Sequence, residues 1–93
     1  MKRRWEKIKE KVLGKKFDLS VVLATDAMMK KLNARYRRKK GVTNVLSFSL
    51  SRTMGEIFIN RKADNPDHLF VHSLLHLKGL RHGKKMEKEE NVV

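Results

Sequence analysis

The sequence predicts an α/β fold of the α+β kind: a small mixed three-stranded sheet packed with helices, around one central, buried helix. Three observations predict it. Segments with apolar residues three and four apart alternate along the chain with segments of two-residue alternation. The resulting order is helix, strand, helix, strand, strand, helix, and helices flanking a few strands bury their faces on a sheet. The last helix carries no formal charge between Asp67 and Lys78, and a helix apolar all round is expected to be buried on most sides.

Each element has its own signal. Over residues 3–13, Trp5, Ile8, Val12 and Leu13 fall at helical spacing, with Gly14 as a stop. Phe17, Leu19, Val21 and Leu23 alternate with Asp18 and Ser20, the mark of a strand with one buried face. Thr25 or Asp26 caps a helix over 26–38, where Met28, Met29, Leu32 and Tyr36 form a stripe and Gly41 ends the run. Val45 to Leu50 reads as a strand with Leu46, Phe48 and Leu50 opposite Ser47 and Ser49. A turn at Ser51-Arg52-Thr53 joins it to Met54–Asn60 as a hairpin. Asn65-Pro66-Asp67 starts the last helix, with a capping Asn, a proline in the first turn and a carboxylate near the positive end of the dipole.

Ninety-three residues are expected to form a single compact domain, 1–93. Charge is the strongest global signal: 23 Lys and Arg against 10 Asp and Glu give a net +13. A field of that sign attracts polyanions, and nucleic acid is the expected class of partner; the plainer reading is that surplus cations only keep the chain dissolved. There are no cysteines. That excludes disulfides and thiolate zinc sites, so a metal must be held by nitrogen and oxygen, and it fits a cytoplasmic location. The basic N-terminus has no apolar run of signal-peptide length, and no segment approaches a membrane span. The expectation is a soluble protein with neither a membrane partner nor a dinucleotide cofactor.

The chemistry gathers at the histidines. His72 and His76 are four residues apart and project from one helical face about one turn apart. Gly79 is placed to end the helix and reverse the chain, which brings His82 back as a third ligand. The run is H-x-x-x-H-x-x-G-x-x-H, the ligand spacing of metzincin proteases without their Glu after the first His. A lone histidine on an apolar helix is more often a hydrogen-bonded core residue, but three at these steps predict one metal per chain, zinc or another first-row divalent ion. His68 precedes the set and is read as a rim residue. Three ligands leave a fourth tetrahedral position open, the arrangement of catalytic zinc, which predicts hydrolysis. Ser73 stands where the peptidases place their general base and cannot do that work at neutral pH. Phosphodiester cleavage leans more on neutralising developing charge, which a metal and basic residues supply.

The run His72-Ser73-Leu74-Leu75-His76-Leu77-Lys78-Gly79-Leu80-Arg81-His82 resembles the H-G-x-L-H-L-x-G-Y-D-H signature of the YbeY family, single-strand-specific endoribonucleases of bacterial ribosomal RNA maturation. Leu32-Asn33-Ala34-Arg35-Tyr36-Arg37 with Thr43-Asn44-Val45-Leu46-Ser47-Phe48 is similar to that family's L-N-x-x-[YF]-R … T-[DN]-V-L-S-F stretch. Gly55-Glu56-Ile57 stands where the family shows Gly-Asp-Ile, and Met86 with Glu89 and Glu90 resembles its closing helix. This chain is shorter than typical members, with Ser73, Leu80 and Arg81 in place of Gly, Tyr and Asp. The resemblance implies a zinc-dependent, single-strand-specific endoribonuclease of ribosomal RNA maturation and ribosome quality control, with ribosomal RNA and the small ribosomal subunit as partners. It implies His72, His76 and His82 as metal ligands, with His72 also counted in the catalytic set. It further implies that Arg37 meets the scissile phosphate, whereas a plainer reading makes Arg37 a solvated cation at a helix C-terminus. Arg35, Arg37, Arg38, Lys39 and Lys40 are read as an RNA-binding patch that tracks phosphates without base specificity. Two other readings stand beside this one: a small zinc peptidase, and a non-catalytic ribosome-associated RNA-binding factor with a structural metal.

Overall fold

A computed structural model describes the backbone of residues 2–82 and the side chains of residues 2–79. The order is α1 (Arg3–Leu13), β1 (Asp18–Ala24), α2 (Asp26–Arg37), β2 (Val45–Ser51), β3 (Met54–Asn60) and α3 (Pro66–His82). The strands lie in the order β1-β3-β2, with β1 parallel and β2 antiparallel to the central β3. The fold is therefore α+β with a mixed three-stranded sheet, as expected. Met86, Glu89 and Glu90 lie outside the described residues.

Strand alternation sends successive side chains to opposite faces of the sheet, and each face is covered by its own helices. On one side Ile57 and Ile59 of β3 pack with Trp5 and Leu13 of α1 and with Phe70, Leu74 and Leu77 of α3. On the other, Leu46 of β2 and Ala24 of β1 pack with Met29 of α2, flanked by Val22, Leu32, Phe48 and Phe58. Thr25 caps α2 as read, its Oγ1 accepting from the Met28 amide at 3.2 Å. The helix ends at Arg37, before Gly41, with Arg38 in the left-handed region at φ 56°. The stripe of α2 is shifted too: Met29 and Asn33 are buried, while Met28 is exposed.

β2 departs from its expected pattern. Ser47 is buried on the α3 side, and Leu50 is 58% exposed. The register with β3 slips between Ser49 and Ser51, so Leu50 is a bulged residue. Neither Arg52 nor Thr53 has a positive φ; the hairpin thus adjusts its twist at the bulge rather than in a primed turn. Gly55 has a different task. A Cβ there would meet Phe17 Cζ at 3.1 Å and Leu77 Cδ1 at 3.2 Å, so its bare backbone lets α3 approach the central strand.

α3 is not the all-round buried helix that its composition implied. Phe70, Ser73, Leu74 and Leu77 form its buried stripe, each large apolar side chain contributing roughly 1.5–3 kcal/mol. His68, His72, Leu75, Lys78 and Gly79 are exposed. Three strands and one neighbouring helix cover only one side of it, so its apolar sequence exceeds the surface available to bury it. Nor does Gly79 end the helix, which runs on to His82. At its start, Asn65 accepts the Leu69 amide through its backbone carbonyl at 3.1 Å. Asp67 accepts from Trp5 Nε1 and Arg4 Nη2, both at 2.7 Å, and the Trp5 ring stacks on Phe70 with centroids 4.4 Å apart. These contacts fix α3 against α1. Among the described residues no helix is long and apolar enough to cross a membrane.

Candidate metal centre

The buried stripe of α3 decides where its histidines go. With Phe70, Ser73, Leu74 and Leu77 turned to the sheet and α1, His72 is left exposed and His76 half-buried at the edge of the packed face. Residues four apart lie one above the other on a helix, and the two rings meet: Nε2 of His76 lies 2.8 Å from Nε2 of His72, with ring planes at 82°. Two nitrogens this close share one proton at most in a neutral pair, one donating and the other accepting. Burial, and then the neighbouring His72, hold the His76 pKa below the ordinary histidine value. Its neutral form is favoured, and neutral imidazole is the form that ligates metal. The helix expected to be buried on most sides thus carries these rings at the margin of the core, with His72 exposed and His76 half-buried.

The donor set fits a first-row divalent ion. Tetrahedral zinc with nitrogen ligands at about 2.0–2.1 Å requires the ligand atoms to lie about 3.3 Å apart. The two Nε2 atoms converge and need to part by only about half an ångström. His72 and His76 could hold such an ion at two positions; among the described residues, no group of three or more His, Asp or Glu comes together to hold a metal. The His82 side chain lies outside the described residues. His68 stacks nearly parallel on His72 with centroids 6.3 Å apart, continuing the exposed histidine stripe by one turn without joining the convergent pair.

Arg37 stands elsewhere. It is the last residue of α2 and half-buried, on a helix that packs on the opposite face of the sheet from α3. No contact joins it to His72 or His76 among the described residues. Arg35, Arg38, Lys39 and Lys40 are exposed, so most of the basic run faces solvent where α2 meets the loop to β2. Asn33 ties that loop back, its side-chain Nδ2 donating to the Gly41 carbonyl at 3.1 Å and its backbone carbonyl accepting the Lys39 amide. Asn33 Oδ1 is buried without a partner among the described residues. Two features here escaped sequence reading. Asn33 was legible only as part of a motif, since nothing local marks a buried amide. Tyr36, placed in the core stripe from its spacing, is 42% exposed, and its position inside a run of five cations was the signal.

Ser73 belongs to the buried stripe at 1% exposure, turned toward the sheet rather than toward the ring nitrogens. Among the described residues no hydrogen bond or ion pair joins either ring to a carboxylate, so the carboxylate base that a zinc peptidase needs is not found beside them there.

Comparison with known proteins places the chain in a family. The sequence profile described as Endoribonuclease YbeY matches residues 2–92. A protein named Endoribonuclease YbeY from Ehrlichia chaffeensis is 35% identical, aligned over 75% of this chain and 57% of its own length. One of the same name from Pelagibacter ubique is 32% identical over 91% of this chain and 72% of its own. Another, from Chelativorans, is 37% identical over 77% of this chain and 58% of its own. The chain thus spans little more than half the length of the first and third of these relatives. No solved structure matches it. The profile runs through the basic end of α2, the hairpin and the whole histidine run, and on that span the chain belongs to the YbeY endoribonuclease family.

Proposed function

We propose that this chain is a metal-dependent endoribonuclease that cuts single-stranded RNA, with zinc, or another first-row divalent ion, held one per chain by His72, His76 and His82. The observation that carries the reading is the convergence of the two Nε2 atoms at 2.8 Å on the exposed margin of α3. When bound, the metal supplies Lewis-acid stabilisation of charge developing on the scissile phosphodiester. The chain's own residues do the rest. His72 and His76 present converging nitrogens from a helix fixed by its buried face. The cations at 35 and 37–40 track the phosphate backbone, and the net charge of +13 raises the local concentration of RNA around the molecule. Arg37 pairs with a phosphate in fork geometry. It does so from the far side of the sheet, with β2 as the edge strand between the two helices, so the bound strand passes round that edge. Ribosomal RNA and the small ribosomal subunit are the proposed partners, in maturation and quality control in the cytoplasm.

Among the described residues the peptidase reading finds no carboxylate joined to the histidines. The non-catalytic reading is favoured by one observation, the separation of Arg37 from the histidine pair, and assays decide it. Wild-type protein and Arg37→Ala are compared on single-stranded RNA, duplex RNA and casein. The expected outcome is cleavage of single-stranded RNA alone, with Arg37→Ala binding RNA more weakly, its salt dependence reduced by about one ion, and metal content unchanged. Casein digestion lost in His76→Ala would favour the peptidase. Absence of any cleavage by metal-loaded protein would favour the binding factor.

A further inference from the structure

An exposed aromatic side chain is usually mobile, and a held one is usually covered. Tyr36 is neither. Its ring is 42% exposed, yet it meets Phe48 edge to face, with centroids 5.1 Å apart and planes at 81°. Phe48 in turn meets Phe58 at 5.6 Å and 85°. Phe58 sits on the central strand β3, paired with Val22 on one side and Leu46 on the other. A ladder of three rings thus runs from the middle of the sheet to the surface, and its last ring is held in place by the first two. Tyr36 does not belong to the buried cluster under α2, which Met29, Leu46 and Ala24 close with Val22, Leu32, Phe48 and Phe58. Packing alone therefore leaves its exposure unexplained.

The ring's surroundings are cationic. The Arg35 guanidinium lies 5.2 Å from its centroid, and Arg37, Arg38, Lys39 and Lys40 follow directly in sequence. A half-exposed aromatic ring with a guanidinium over it, within a run of phosphate-attracting charges, has the chemistry of a stacking platform for a nucleobase. We infer that Tyr36 stacks an unpaired base of bound RNA while the flanking cations hold the phosphates on either side of that nucleotide. The inference rests on the RNA reading above and adds to it the physical source of single-strand selectivity. A base inside a duplex has both faces taken by its neighbours and cannot lie on the ring. Arg35 is a positioning residue here, holding the ring and offering its planar group as an alternative stacking face.

The test is binding rather than cleavage. Chelator-treated protein is titrated into a labelled single-stranded oligoribonucleotide and into an abasic strand of the same length and charge, followed by fluorescence anisotropy over a salt series. Wild type is expected to bind the intact strand about tenfold more tightly than the abasic one. Tyr36→Phe should keep that preference. Tyr36→Leu should lose it, with the salt dependence of binding unchanged, because stacking releases no counterions. Arg35→Gln should flatten the salt dependence by about one ion. Equal binding of both strands by wild type would overturn the platform while leaving RNA as the partner, as would a preference retained in Tyr36→Leu. Failure of wild type to bind either strand would overturn the platform and the RNA reading together. The wild-type comparison needs no variant, so a destabilised Tyr36→Leu protein does not weaken the test.

Discussion

His72 and His76 show how one residue's burial sets another's chemistry. The stripe of Phe70, Ser73, Leu74 and Leu77 carries His76 to the half-buried edge of α3, where burial and His72 lower its pKa. The lowered value has a consequence for stability. A histidine whose folded pKa lies below its unfolded value binds fewer protons when folded, so stability is full above the unfolded value and falls with acidification. Metal-free protein should lose melting temperature as pH drops below about 6.5, and His76→Asn should flatten that loss; a flat profile in wild type would contradict the burial of His76. Arg38 makes a second residue-scale case. It adopts φ 56° at the end of α2, which costs a residue with a Cβ roughly 1 kcal/mol. Arg38→Gly should therefore raise the melting temperature by about 4 °C and weaken RNA binding, with a salt dependence reduced by about one ion. A lower melting temperature would show that the Arg38 side chain supports the cap.

At the scale of elements, α3 decides whether the site can close. A continuous helix turns about 100° per residue, so a ten-residue step from His72 to His82 ends about 80° away from a whole number of turns. Three-histidine ligation therefore needs the last turn of α3 to leave the helical path, and Gly79 is where it can do so. Nothing lies within 4 Å of a Cβ placed at Gly79, so alanine fits there without clash. Gly79→Ala should stabilise the metal-free helix by about 1 kcal/mol and weaken zinc binding about fivefold, read by melting temperature and by calorimetric zinc titration. Zinc affinity unchanged by Gly79→Ala would mean that the last turn keeps its helical path when metal binds. This element was also the least legible from sequence. Its uncharged run and Gly79 pointed to a buried helix with a sharp stop. The small sheet leaves Leu75 and His72 uncovered, however, and one glycine costs too little to break a helix that Leu77 anchors.

Across the whole molecule, legibility followed the range of the interaction. The six elements and the Thr25 cap are local, and periodicity with turn residues revealed them. Which face each helix covers is not local: Arg37 and the histidines share a family motif pattern, yet α2 and α3 lie on opposite sides of β2 and β3. The bulge at Leu50 and the exposure of Tyr36 likewise depend on neighbours distant in sequence. Charge acts at the largest scale. Among the described residues, Asp67 pairs with Arg4 and Asp26 with Lys62, two ion pairs against a chain-wide surplus of 23 Lys and Arg over 10 Asp and Glu, and that surplus is what attracts a polyanion.

The central claim, that a metal held by the converging histidines is required to cut RNA, is tested most directly by one titration. Single-turnover cleavage of a single-stranded RNA is measured on chelator-treated protein as free zinc is raised, with His76→Ala beside it. The account predicts no cleavage without metal, a saturable rise that levels off at one zinc per chain, and no rise in His76→Ala. RNA cut by wild-type protein at an undiminished rate in excess chelator would contradict it.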